Sequence, residues 1–393
     1  MYINILLLLL FFDDVLIEAK EGDDCVVEHT KILGKCTPPD QCNAANKDYL
    51  MNGIKPTFCE HSFSNVLVCC RDGSSILQAA EPVALRSGKD FTDNRRVSER
   101  KCEEYSRIVT QNVVYSPLVP DESPKSVSTP NCYHTYIELV VGGEKANLGE
   151  FPHMAAVGWV NTDGQYIFSC GGSLISTRHV LTAAHCSRNP RAKDPTPAIV
   201  RLGDLNLNTS VEDGATPIDV PIKTIHVHPE YKPPMKYHDI AILELAADID
   251  IDSSIRPACL WQKPDFGQYT IAYATGWGTT DPRKYKLSND LQKVSLTLLN
   301  TDTCDMLLKN NINRLWHGFS QTQICAGEIR GGKDTCQGDS GSPLQVSSMD
   351  NDCIYYVMGV TSFGGKCGQS DQPAVYTKVS SYISWIESIV WPI

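Results

Sequence analysis

Hydrophobic and polar positions follow different rhythms along the chain. Residues 3–12, INILLLLLFF, form one apolar run that Asp13 and Asp14 interrupt. It is too short for a bilayer, which needs roughly 20 residues, and with Ala19 behind it residues 1–19 read as a secretory signal. No later stretch is apolar enough to cross a membrane. Residues 71–131 show little apolar periodicity and are rich in Ser, Pro and charge, as in SPLVPDESPKSVSTP, which reads as a linker. From Val140 to Ile393 the pattern changes. Short runs rich in Val, Ile, Thr and aromatics alternate with Gly, Pro and Asn turns, as in GGSLISTRHVLTAA, AIVRLG and YYVMGVTSFG. That pattern predicts antiparallel β barrels or sandwiches rather than βαβ units. Only the end, SSYISWIESIVW, has helical spacing, which puts Tyr382, Ile383, Trp385, Ile386 and Ile389 on one side.

Composition narrows the class. The 393 residues are 42% hydrophobic, enough for one large core and a smaller body. A net charge of −11 leaves no basic footprint for nucleic acid. Sixteen cysteines point to an oxidising compartment. Six of them, Cys25, Cys36, Cys42, Cys59, Cys69 and Cys70, crowd into residues 25–70, the mark of a small fold stapled by bridges. Paired C-x2-C knuckles are missing, so zinc is not the reading. The chain therefore divides into a signal (1–19), a cysteine-rich domain (25–70), a linker with an activation segment (71–139) and an all-β domain (140–393). Cys102 sits in the linker, together with the basic pairs Arg95-Arg96 and Arg100-Lys101, which proteases attack when exposed.

Three blocks of the last domain supply chemistry. LTAAHC holds His185, YHDIAILEL holds Asp239 at the head of an apolar strand, and DTCQGDSGSPL holds Ser340 in a Gly-rich turn. A serine alcohol is a poor nucleophile until an imidazole accepts its proton, and the imidazole needs a carboxylate to fix its tautomer. Any one of these residues alone is weak evidence. In the order His, Asp, Ser, within these blocks, they resemble the S1 (chymotrypsin-like) serine peptidases across nearly all of residues 140–393.

The resemblance implies two six-stranded antiparallel β-barrels with a C-terminal helix and a catalytic triad of His185, Asp239 and Ser340 in the cleft between them. The backbone N–H groups of Gly338 and Ser340 would form the oxyanion hole. Asp334, six residues before the nucleophile, would lie at the base of the primary pocket and pair with arginine or lysine, with Thr335 adding a hydroxyl. Ser362 and Gly364 resemble the segment that pairs with substrate backbone. QPAVYTKV resembles the pocket wall but carries Ala374 where trypsin-like relatives usually have glycine. Cofactors are not required.

The stretch IELVVGGEKANLGEFPHM resembles an activation site cut after Leu139. The new N-terminus, Val140, would fold inward and pair with Asp339. Most such zymogens carry Arg or Lys before the cut. A leucine there implies an activator with an apolar pocket, whereas cleavage in the linker after Arg95, Arg96 or Lys101 is the alternative. By resemblance the disulfides would be Cys170–Cys186, Cys304–Cys325, Cys336–Cys367 and Cys132–Cys259, which leaves Cys102 and Cys353 to pair with each other or not. The N-terminal cysteine set, ending in Cys69-Cys70, resembles a clip domain with pairs Cys25–Cys69, Cys36–Cys59 and Cys42–Cys70. Clip-domain proteases serve arthropod haemolymph cascades, and the leucine fits their Persephone-like branch. The implied partners are an upstream activator, a downstream clip-domain zymogen and serpin inhibitors. A venom or digestive protease and a non-catalytic clip-domain adaptor are the other readings.

Two smaller features stand apart. Asn208-Thr209-Ser210 is a glycosylation sequon. Asp204, Glu212 and Asp213 lie where some relatives bind a structural calcium, though a solvated acidic loop fits equally. His226 and His228 read as ordinary strand-end residues.

Overall fold

Two bodies partition the chain, Met1–Asp90 and Phe91–Ile393. The computed structural model describes residues 20, 22–27, 33–38, 41–42, 57–61, 66–71, 95–115, 125–130, 132, 144–281, 286–329, 338–364 and 370–392. Among the described residues no helix is long and apolar enough to cross a membrane; the segment read as a signal, 1–19, lies outside them.

The first body is a small sheet of β1 (Asp24–Val26), β2 (Leu33–Thr37), β3 (Phe58–His61) and β4 (Val66–Arg71), in the order β1-β2-β4-β3. Among the described residues its buried apolar side chains are Val27, Leu67 and Val68 beside Cys36, Cys42 and Cys69. Covalent bonds supply what so small a core cannot: Cys25–Cys69, Cys36–Cys59 and Cys42–Cys70 all join parts of this body to itself.

The second body begins where the pattern had suggested linker. Helix α1 (Val97–Ser106) is followed by a hairpin of β5 (Thr110–Tyr115) and β6 (Lys125–Pro130). The helix has a start signal, since the Glu99 side chain accepts the Arg96 N–H at 2.9 Å. Its inward positions are Ser98, Cys102 and Tyr105, continued by Val109 in the 3-10 turn Arg107–Val109, spaced by four, three and four residues like any helix face. Three of the four are not aliphatic, which hid the period. Ser98 donates from Oγ to Glu387 at 2.6 Å, and Arg96 reaches the same carboxylate at 2.7 Å.

Two closed barrels follow. The first is made of β8 (Met154–Val160), β9 (Tyr166–Ser176), β10 (His179–Thr182), β11 (Ile199–Leu202), β12 (Ile218–Val227) and β13 (Ala241–Leu245), joined in the ring β10-β13-β12-β11-β8-β9. The second ring is β15 (Ile271–Gly276), β18 (Gln292–Leu299), β19 (Gln323–Gly327), β22 (Ala374–Lys378), β21 (Tyr355–Phe363) and β20 (Pro343–Ser347). Short strands extend it: β7 (Glu144–Lys145) pairs with β18, and β14 (Cys259–Leu260) runs parallel on β21. Between these rings β8 is buried on both faces. Ala155, Val157 and Trp159 face the core of the first barrel, while Met154 and Ala156 join Phe151, Trp277, Leu291 and Tyr355. Side chains alternate along a strand, so a strand covered on both sides reads MAAVGWV, a continuous apolar run. At the chain's end α3 (Ile383–Val390) lays Ile383, Ile386 and Val390 on the first core, with Trp385 and Ile389 partly buried against it.

The bridges of this body include Cys170–Cys186 and Cys304–Cys325. Two expectations are corrected. Cys259 bonds Cys102, not Cys132, and Cys353 bonds Cys132, not Cys102. The cause is α1: once residues 97–106 are helical and packed beside β14, Cys102 sits over Cys259, and the hairpin carries the chain on until Cys132 meets Cys353. Cys336–Cys367 lies outside the described residues.

One buried group makes the fold acid-sensitive. His153 is 1% exposed and its Nε2 meets Gln345 Oε1, while Gln345 donates to Thr275 Oγ1 at 3.1 Å. Burial holds the imidazole neutral and lowers its pKa to about 3. The unfolded chain, with an ordinary histidine near 6.5, binds the proton first, so this contribution is intact above that pH and erodes on acidification towards about 3. By pH 4 the loss is about 3 kcal/mol. Urea titrations from pH 7 to 4 should show that loss in the wild type and a flatter profile in His153→Gln; parallel profiles would assign acid sensitivity elsewhere.

Candidate active site

The register of the first barrel brings the first two functional side chains together. Thr182 at the end of β10 pairs with Ala241 at the start of β13. His185 lies just beyond Thr182, in a 3-10 turn over Ala184–Ser187, and Asp239 lies just before Ala241, so the two meet at one barrel end. The His185 N–H donates to Asp239 Oδ1 at 2.9 Å, and Nδ1 lies 2.8 Å from Oδ2. Ser362 Oγ donates to the same Oδ2 at 2.5 Å, and Thr377 Oγ1 to the Asp239 carbonyl at 2.8 Å. Asp239 is only 1% exposed. Burial works to raise its pKa, yet the His185 ring, Ser362 and the His185 amide together hold the carboxyl below its ordinary value.

An ionised Asp239 dictates the tautomer. Nδ1 carries the proton and donates it to the carboxylate, which leaves the Nε2 lone pair free to act as a base.

Ser340 comes from the second barrel. Its turn is closed by Ser342 N–H donating to the Asp339 carbonyl at 3.0 Å and anchored by Gly341 N–H on the Thr361 carbonyl at 2.8 Å. Gly338 and Gly341 take left-handed backbones, φ +102° and +80°. At Gly341 an added Cβ would lie 2.2 Å from Thr182 Oγ1 and 2.5 Å from the Gly171 carbonyl, so the first barrel presses directly on the turn. The Ser340 carbonyl accepts the Gly171 N–H at 2.8 Å and lies 3.6 Å from Sγ of Cys186, the neighbour of His185. Nucleophile turn and base turn therefore abut across the barrel interface. An alcohol beside an oriented imidazole and a buried carboxylate is the arrangement for acyl transfer.

Several expected residues can be placed. Ser362 touches Asp239 directly, while Gly364, just past the end of β21, is exposed. A Cβ built on Gly364 would stand 3.6 Å from the Ala374 methyl, so these two positions face each other. Asp339 accepts the Gly278 N–H at 2.8 Å. Leu139, Val140, Asp334 and Thr335 lie outside the described residues. Asn208 is exposed, as are Thr209 and Ser210. Sequence reasoning missed Gly276 and Gly278, which must be bare because a Cβ there would fall 2.2 and 2.3 Å from the Asp339 carboxylate oxygens. The GWG spacing was the available signal.

In the acidic loop Arg201 takes one side of Asp204 at 3.4 Å, Glu212 is exposed, and Asp213 Oδ1 accepts the Ala215 N–H while its Oδ2 is buried without a hydrogen-bond partner. Burial and the nearby Asp213 charge push the Asp204 carboxyl up.

Comparison with known proteins agrees with the geometry. Residues 140–386 match the family described as Trypsin. Serine protease snk of Drosophila melanogaster is 35% identical over 375 residues, 94% of this chain and 79% of that relative. Venom serine protease Bi-VSP of Bombus ignitus is 32% identical over 392 residues, 96% of this chain and 95% of that protein. CLIP domain-containing serine protease B4 of Anopheles gambiae is 36% identical over 315 residues, 76% of this chain and 83% of that one.

The pair of donors on Asp239 separates charge from position. Asp239→Asn should lower kcat by roughly 10⁴, because the amide stabilises the wrong imidazole tautomer. Ser362→Ala removes one hydrogen bond to a charged group and should cost about tenfold. Both are read as amidase activity after activation, with circular dichroism confirming the fold; equal losses would mean that Ser362 does more than hold the carboxylate.

Proposed function

Because the chain belongs to the trypsin family of serine proteases, we propose that it is a secreted zymogen which, after a cut following Leu139, cleaves after Arg or Lys in a downstream protease zymogen of an innate-immune cascade of the Toll or melanisation type. The observation that carries the catalytic half is the buried His185–Asp239 pair abutting the Ser340 turn, since nothing but proton transfer from that serine requires the three together. The chain is a serine endopeptidase, and a non-catalytic adaptor has no use for the nucleophile.

Support for the switch comes from the ground around it. The Asp339 carboxylate lies against Gly278, next to the residue offered as nucleophile. A new ammonium at Val140 would be the stronger partner for that charge, and its arrival would reset the turn holding Gly338 and Ser340 as oxyanion donors. Downstream, β7 is already fixed: Lys293 Nζ bridges Glu144 at 3.0 Å and Glu150 at 2.8 Å, so the residues to be released begin from a firm anchor. The linker alternative meets structured chain. Arg96 is held by Glu387, and Arg100 and Lys101 belong to α1, which must open before a protease can read it as a strand.

An enzyme with Asp334 in its pocket leaves that charge unpaired over a leucine, so the activator has a different, apolar specificity. Asn208, exposed in its loop, is the site for a glycan, and serpins of the same fluid are the expected inhibitors. The venom reading has its own support in the Bi-VSP match along 95% of that protein.

Incubating the full chain with trypsin-, chymotrypsin- and elastase-like proteases decides the switch. Activity on an arginyl amide should appear only with a chain that starts Val140-Val141-Gly142-Gly143, and only with proteases accepting leucine. The N-terminal fragment should stay attached until reduction, held by Cys102–Cys259 and Cys132–Cys353. Activity that follows cuts in the linker would sink the Leu139 switch. Separately, Ala374→Gly should raise the arginyl-to-lysyl ratio of kcat/KM by about tenfold, because a methyl removed from the wall relieves the bulkier head most; an unchanged ratio would take Ala374 out of the pocket.

A further inference from the structure

Beside the catalytic carboxylate lies a group of side chains that the proteolytic machinery does not use. His228 follows β12, Glu230 stands two residues on, and His238 immediately precedes Asp239. One ligand atom from each of the three lies within 4.8 Å of the others. The other such groups among the described residues consist of disulfide cysteines, or of such cysteines with the catalytic His185, and cannot take an ion in the same way.

The two imidazole rings stack nearly parallel, 5.5 Å apart at 12°. His228 Nδ1 accepts the Glu230 N–H at 3.3 Å, a long bond whose lone pair an ion takes over on binding. His238 Nδ1 lies 3.7 Å from Glu230 Oε2 and 3.0 Å from the Tyr382 hydroxyl. Tyr382 and Trp385 pack edge-on to the His228 ring and fix its plane. Burial and the neighbouring His238 hold His228 below the ordinary histidine pKa. Glu230 is 68% exposed and gives an ion its way in.

We propose that His228, Glu230 and His238 form a site for a first-row divalent transition ion such as zinc, and that filling it restrains the turn carrying Asp239. Two imidazoles and one carboxylate suit zinc, copper or nickel, whereas calcium prefers oxygen alone. The coupling is short. His238 has a left-handed backbone, φ +53°, and its carbonyl accepts the Ile240 N–H at 2.9 Å around Asp239. Drawing the His238 ring off Tyr382 towards a metal strains the tight turn whose middle residue orients His185.

The binding half stands apart from the protease reading; the coupling half rests on it. Zinc is titrated by calorimetry into chelator-treated full chain carrying Ser340→Ala, which cannot digest itself. One site is expected, weakened tenfold or more by Glu230→Gln and by His238→Asn, with added calcium not competing. Asparagine keeps the left-handed backbone of position 238 accessible. Failure to bind, or affinities unmoved in both variants, overturns the site. Next, activated wild type should lose amidase activity on zinc addition, while Glu230→Gln, as active without metal, should resist it. Binding with no loss of activity overturns the coupling, and a preparation inert before zinc is added points instead to failure of the protease reading.

Discussion

A carboxylate sealed from water between two barrels is tolerable only if donors reach it, and Asp239 has them from both sides. His185 reaches it from just beyond β10 and Ser362 from β21, while Thr377 of β22 holds the Asp239 backbone carbonyl. Leaving a buried charge unpaired costs several kcal/mol, so the barrels cannot separate or slip without exposing or orphaning it. The same bonds that satisfy the charge set the imidazole tautomer. Stability of the interface and competence of the base are one requirement here, which is why the catalytic residues are split between barrels rather than gathered on one.

The nucleophile turn obeys a steric counterpart of that rule. Gly171, Gly276, Gly278 and Gly341 all face the turn or its Asp339 with no room for a Cβ. The turn is thus cast against bare backbone, and its shape responds to whatever Asp339 holds.

Much of this could be read from residue order. His185, Asp239 and Ser340 announced themselves because each sits in a block with its own local pattern, and the β-rich rhythm of residues 140–393 marked the barrels. The α1 helix did not, since its buried face is made of Ser98, Cys102, Tyr105 and Val109, and a serine bound to Glu387 looks polar until its partner is known. Missing that helix misdirected two disulfides, as the resemblance implied Cys132 for Cys259. The glycines packed at the nucleophile turn were likewise invisible as a set, because they come from β9, from the end of β15 and from the turn itself. His226 and His228 read as ordinary strand-end residues, because the neighbour of His228, His238, arrives from across the loop.

The bridges draw a boundary of their own. All three bonds of the first body close upon it, and both bonds that reach back from the barrels, at Cys259 and Cys353, end at Cys102 and Cys132. Among the described cysteines no covalent link crosses from residues 25–70 to the rest except the main chain. A nick between residues 71 and 101 therefore leaves no covalent bond between its two products, whereas a nick between Cys132 and the barrels leaves them joined by two. Where the chain is opened decides not only whether the enzyme works but whether its N-terminal module stays covalently part of it.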